Sequence, residues 1–65
     1  MKVQYFSDTD TLYIEFSRDD VVETRELDEN TMLDVDAKGK VCAITFEHAS
    51  ERTDLNQLEV TGLAA

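Results

Sequence analysis

Two Asp-x-Asp pairs, Asp8/Asp10 and Asp34/Asp36, are the residues whose type and spacing could do chemistry. Side chains two positions apart on a strand or in a turn share a direction, so each pair could present two oxygen ligands to Mg²⁺ or Ca²⁺. Asp34-x-Asp36-x-x-Gly39 even opens like a calcium loop. The likeness then fails: Lys38 occupies a ligand position, and Thr45 stands where a bidentate glutamate is needed. Asp8 and Asp10 are better suited to closing turns through their own side chains. A divalent-metal protein built on these pairs is one alternative; the expected set of metal ligands and cofactors is none.

His48 is the sole imidazole, and nothing in the chain orders it with a serine and an aspartate as a triad. Ser50 is better placed as a helix N-cap. Cys42 has no flanking His or Lys to activate a thiolate and reads as a small buried hydrophobe. Only Gly39 and Gly62 are glycines, far apart, so no phosphate loop exists. A catalytic cleft is also hard to build from so short a chain. The expectation is a protein that is not an enzyme.

A wider constellation lies on one face of the expected sheet. If Leu12, Ile14, Leu33, Val35, Ile44 and Phe46 form the core face, the opposite face holds Tyr13, Glu15, Asp34, Asp36, Thr45 and Glu47. Tyr13, Glu15, Asp34, Asp36 and Glu47 are the expected partner-binding residues, with Tyr13 as an aromatic anchor among carboxylates. The plainer reading of the same face is the solvated side of a half-buried sheet.

The elements that must position these residues are short strands. Val3 and Tyr5 alternate with Lys2 and Gln4, and after Ser7-Asp8-Thr9-Asp10 comes Thr11–Phe16 with Leu12, Ile14 and Phe16 on one face. Ser17–Asp20 is a second turn cluster, and Val21–Leu27 is a polar third strand suited to a sheet edge. Asp28–Thr31 breaks the pattern before Met32–Asp36. Ala37–Lys40 then leads to a fifth strand, Val41–Ala49, with Ile44 and Phe46 on one face. Asp36 capping a turn and Gly39 in the left-handed region predict a bulged hairpin there. Ser50 to about Glu59 is predicted as a short helix, with Leu55 and Leu58 at helical spacing. The predicted fold is α+β, mainly β: a five-stranded antiparallel meander with a short C-terminal helix packed on one face. Residues 1–60 make one small domain, and 61–65 a frayed tail.

Composition narrows the partners. The chain has 65 residues, with 15 acidic against 6 basic side chains and a net charge of −9. Such a surface repels phosphate backbones and anionic lipid, so neither nucleic acid nor membrane is an expected partner of the isolated chain. The same charge speeds encounter with a basic partner. A domain of this size buries only ~60% of its unfolded surface and usually needs a staple. One cysteine rules out an internal disulfide, which leaves a partner chain, either a small basic protein or a second copy. No apolar run approaches the ~20 residues of a membrane span, no leader pattern opens the chain, and a cytoplasmic setting is the expectation.

Val3-x-Tyr5-x-x-Asp8-x-Asp10-x-Leu12-Tyr13-Ile14, followed by Asp34-x-Asp36-x-x-Gly39-x-Val41-x-x-Ile44, resembles a family of very short bacterial proteins known as domain of unknown function 2283. The resemblance covers roughly residues 1 to 50. Ala43 stands where that family typically shows glycine, and Thr45 replaces a commonly acidic residue. The resemblance implies a compact β-meander with a C-terminal helical segment and no assigned enzymatic activity. It also implies an antitoxin-type role, because members often look like partners of small toxin-like proteins. The expectation from residues and resemblance together is a non-catalytic interaction module, antitoxin-like toward a small basic partner, with a structural homo-oligomer as the alternative.

Overall fold

The computed structural model describes residues 1–62. Five antiparallel strands form one sheet: β1 (Lys2–Phe6), β2 (Thr11–Glu15), β3 (Glu23–Asp28), β4 (Thr31–Val35) and β5 (Val41–Phe46), followed by the short helix α1 (Ala49–Arg52). The mainly β class, the single antiparallel sheet and the short C-terminal helix agree with the sequence reading. The strand order does not follow a simple meander. It runs β1-β2-β5-β4-β3, so β5 enters between β2 and β4. The reason is burial: β2 and β5 carry Leu12, Ile14, Ile44 and Phe46 and gain most from central places, whereas Glu23-Thr24-Arg25-Glu26-Leu27-Asp28 goes to the edge, exposed throughout.

Register places Leu12 opposite Phe46, and Ile14 opposite Ile44, which in turn faces Leu33. The core face expected from alternation is therefore a real row across the central strands. At the β4–β5 end the register shifts, and Val35 pairs with Val41 while Asp34 pairs with Ala43. Cys42 is the extra residue of this bulge and is buried, as expected for a small hydrophobe. The hairpin that produces it has the predicted chemistry. Gly39 has φ +82°, and its N–H donates to the Asp36 carbonyl at 3.0 Å.

Residues 16–22 carry the chain from β2 across the ends of β5 and β4 to the far edge. They are guided by the N–H groups of Phe16 and Ser17, which both donate to the Cys42 carbonyl, and by that of Val22, which donates to Val35. At the opposite end of the sheet, the β1–β2 and β3–β4 turns lie side by side, and α1 bridges them.

The helix departs from expectation in three ways. It ends at Arg52 rather than near Glu59, because Thr53 turns extended and bonds its hydroxyl to the Ala49 carbonyl at 2.9 Å. Asp54 then accepts the Asn56 N–H at 3.1 Å, the local competition with helical bonding that such residues favour. Ser50 is also not the N-cap. His48 holds that position with φ 55° and no capping side chain. Lastly, four residues cannot roof a five-stranded sheet, so residues 53–58 cross the apolar face of β1 and β2 without helical structure, with Leu55 half-buried. Of the tail expected over 61–65, residues 63–65 lie outside the described residues.

Wholly buried side chains are few and small: Thr31, Val35, Cys42, Ala43 and Ala49. No Leu, Ile, Phe, Tyr or Met among the described residues is buried to that degree. The sheet is a single layer, and the molecule measures 34 × 34 × 17 Å.

Candidate functional site

The polar face of the sheet follows from the pairing. Glu15 lies beside Ala43, Ala43 beside Asp34, and Asp34 beside Thr24, with Lys2 flanking Glu15 from the β1 edge. One step along, Tyr13 lies beside Thr45, and Thr45 beside Met32. The small Ala43 and Thr45 of β5 leave Glu15, Tyr13 and Asp34 standing above the centre of the sheet.

Tyr13 donates its hydroxyl to Glu15 Oε2 at 3.2 Å, and Thr24 donates to Asp34 Oδ1 at 2.8 Å. Partial burial, then the Glu15 hydrogen bond, and then the fields of Glu15 and Asp34 hold the Tyr13 phenol above its ordinary pKa. These are the marks of a locally negative surface with a fixed aromatic ring. Three of the five expected partner-binding residues are brought together here.

The other two are not. Asp36 Oδ1 accepts the N–H groups of Lys38 and Lys40, both at 2.9 Å, so this carboxylate is engaged in closing the hairpin. Its alternation with Asp34 suggested a shared face, but the turn redirects it. Glu47 lies just past the end of β5, where its N–H donates to the Asn30 carbonyl at 2.8 Å. That is four residues from the Ala43 row, about 13 Å along a strand.

Among the described residues, the one group of three potential ligands takes a single member from the two Asp-x-Asp pairs, Asp36. Asp10 receives Tyr5 Oη at 2.6 Å, Ser50 Oγ at 2.7 Å and the Ser50 N–H at 3.0 Å. Asp36 instead approaches Asp19 and Cys42, whose ligating atoms lie within 4.8 Å of one another. The protein's own groups already occupy that cluster: two N–H groups on Asp36, Lys40 Nζ at 4.0 Å from Asp19, and the Cys42 thiol aimed at the Lys40 carbonyl at 3.6 Å. Ser50, His48 and Asp10 meet at the helix start without forming a relay. The hydroxyl bonds directly to Asp10, while His48 faces Glu51 at 3.7 Å.

Arg52 escaped the sequence reading. Its guanidinium donates to the carbonyls of Asn30 and Glu47 at 2.7 and 3.3 Å and to Thr31 Oγ1 at 2.5 Å. It also sits 5.2 Å from the centre of the Phe46 ring. No local pattern marks an arginine in a four-residue helix as an anchor for a turn 21 residues upstream.

On the apolar face, Val3, Tyr5, Leu12 and Ile14 form the floor of a groove of about 470 Å³, walled by residues 53–58. No helix among the described residues is long and apolar enough to cross a membrane.

No curated protein and no solved structure matches the chain. The family described as "Protein of unknown function (DUF2283)" does, over residues 2–50. That span runs from the first residue of β1 to Ser50, the residue that Asp10 holds, and takes in all five strands. Covering three quarters of the sequence, the match establishes that this chain belongs to the DUF2283 family.

Proposed function

We propose that this protein is a non-catalytic interaction module whose acidic sheet face neutralises a small basic protein, in the manner of an antitoxin. The observation that carries the reading is the convergence of Tyr13, Glu15 and Asp34 on the central strands of a chain with net charge −9. Arg or Lys side chains of the partner pair with the two carboxylates, and the Tyr13 ring supplies a rigid contact between them. Function is then occlusion: the partner's cationic surface is covered and cannot engage its own anionic target. Asp36 and Glu47 add only to the long-range field. A cytoplasmic setting, with Cys42 a reduced thiol, belongs to this reading.

The test is capture from host lysate by the wild type and by Glu15→Lys/Asp34→Lys, at low and at high salt. One small basic protein held by the wild type, released by salt and lost with the double variant, is the expected result. Equal recovery by both proteins, or recovery of no basic protein, refutes the reading.

A further inference from the structure

The other face of the sheet is the opposite of acidic. On β1, β2, β4 and β5 it presents Val3, Tyr5, Leu12, Ile14, Leu33 and Ile44 among uncharged neighbours only. On β3, register places Glu23, Arg25 and Asp28 on this side. Each is matched: Arg25 pairs with Glu23, and Arg52 approaches Asp28 at 3.8 Å. The acids at its rim are engaged too, Asp10 by Tyr5 and Ser50, and Asp54 by the Asn56 N–H. Asp10 and Asp54 keep their charge, because their donors are uncharged, but they lie at the rim, and the strands between them carry no unpaired carboxylate. Two copies of a strongly acidic chain can therefore meet here across apolar side chains.

The area points the same way. The chain exposes 5084 Å², whereas a compact monomer of 7.4 kDa exposes about 4,200 Å². The surplus of about 900 Å² matches the ~800 Å² that each partner brings to a standard interface. Residues 53–62, all but Leu55 exposed, contribute to that surplus, and those up to Leu58 wall the same groove. The radius of gyration, 12.6 Å, likewise exceeds the roughly 10.7 Å of a compact chain of this length. Val3 and Tyr5 are 42% and 41% exposed, and Leu58, on the groove wall, is 73% exposed.

We infer that the protein is a homodimer whose two apolar faces stack into a two-sheet sandwich. The apolar faces of the two copies meet around their 53–58 segments, which lie between the sheets beside the β1–β2 grooves, and both acidic faces point outward. A one-layer sheet thereby acquires its second layer from its own copy. The association is isologous and closed, since the same patch serves both sides.

Sedimentation equilibrium over micromolar concentrations tests this, with melting followed at each concentration. The expected mass is that of two chains, with a melting temperature that rises with concentration. Val3→Glu places a charge on the apolar face and raises the dissociation constant by at least about tenfold. Gln4→Glu adds the same charge to the same strand on the opposite face and leaves the dimer intact. Leu58→Glu, in the exposed segment after α1, weakens the dimer without depending on strand packing, and decides the matter if Val3→Glu does not fold. A wild type of single-chain mass with concentration-independent melting overturns the inference. So does a dimer indifferent to Val3→Glu and Leu58→Glu, or one lost equally with Gln4→Glu, which would mean pairing through the β1 edge.

Discussion

Asp10 caps the helix that begins 39 residues after it: its carboxylate takes both the N–H and the hydroxyl of Ser50, at 3.0 and 2.7 Å, while its carbonyl takes the N–H of Ala49 at 2.9 Å. A four-residue helix has too few internal bonds to persist alone. Here its start is held by the β1–β2 turn, and its end is tied through Arg52 to the β3–β4 turn. The two hairpin units of the sheet are thus clasped at one end.

Asp10→Ala is expected to lower the melting temperature more than Ser50→Ala, because it removes three acceptor contacts rather than one donor. Asp10 also has φ 52°, which Asn tolerates better than Ala. Asp10→Asn therefore falls between wild type and Asp10→Ala. Melting of Asp10→Ala and Asp10→Asn equal to that of the wild type would show that neither contact nor backbone matters at this position.

The Tyr5–Asp10 bond makes stability depend on pH at both extremes. It is the leading cause that holds the Asp10 carboxyl below the usual aspartate value, ahead of the Ser50 bonds, and the leading cause that holds the Tyr5 phenol above its usual value. For Asp10 the depressed folded value means stability present above about pH 4 and lost as pH falls further. Asp28, lowered by the N–H of Asn30 and the Thr31 hydroxyl, has the same sign. For Tyr5 the raised folded value means stability present below about pH 10 and lost as pH rises beyond it. Both groups are exposed, so solvent keeps each effect small. Melting temperature against pH should show a plateau with two falling limbs. Tyr5→Phe should flatten both, leaving the Ser50 bonds to Asp10 together with Asp28 to shape the acid limb, and Tyr13 the alkaline one.

Arg52 is an anchor by shape as well as by charge. Arg52→Ala is expected to cost about 2 kcal/mol in urea denaturation, from the lost bonds to Asn30 and Thr31 and the lost contact with Phe46. Arg52→Lys retains the charge but not the planar fork, and should recover no more than about half of that loss. Full recovery by lysine would reduce the role of Arg52 to its charge.

Gly39 marks the turn of the β4–β5 hairpin at φ +82°, and a Cβ built there meets nothing within 4 Å. The cost of Gly39→Ala is therefore backbone strain alone, about 1 kcal/mol. Gly39→Asn should cost less. A loss well beyond that in Gly39→Ala would mean that the hairpin bulge, with Cys42 beneath it, had shifted register.

Much of this architecture was legible locally. Period-two alternation assigned Leu12, Ile14, Leu33, Ile44 and Phe46 to one face, and Tyr13, Glu15 and Asp34 to the other, because side-chain direction along a strand depends only on parity. The Asp36–Gly39 hairpin was legible because turn chemistry involves residues a few positions apart. The polar character of Glu23–Asp28 marked an edge strand. What only the tertiary structure decided involves partners distant in sequence. Alternation says which face a residue takes but not which strand lies beside it, so the entry of β5 between β2 and β4 was invisible. Parity likewise set Asp36 beside Asp34, until the hairpin's N–H groups claimed its carboxylate. The helix read from Ser50 onward stops at Arg52, where Thr53 turns extended, and is held only through Asp10 at its start and Asn30 and Thr31 at its end. Local residue types determined the strands, turns and faces of this protein. Long-range hydrogen bonds, which no local pattern records, decided how they are joined.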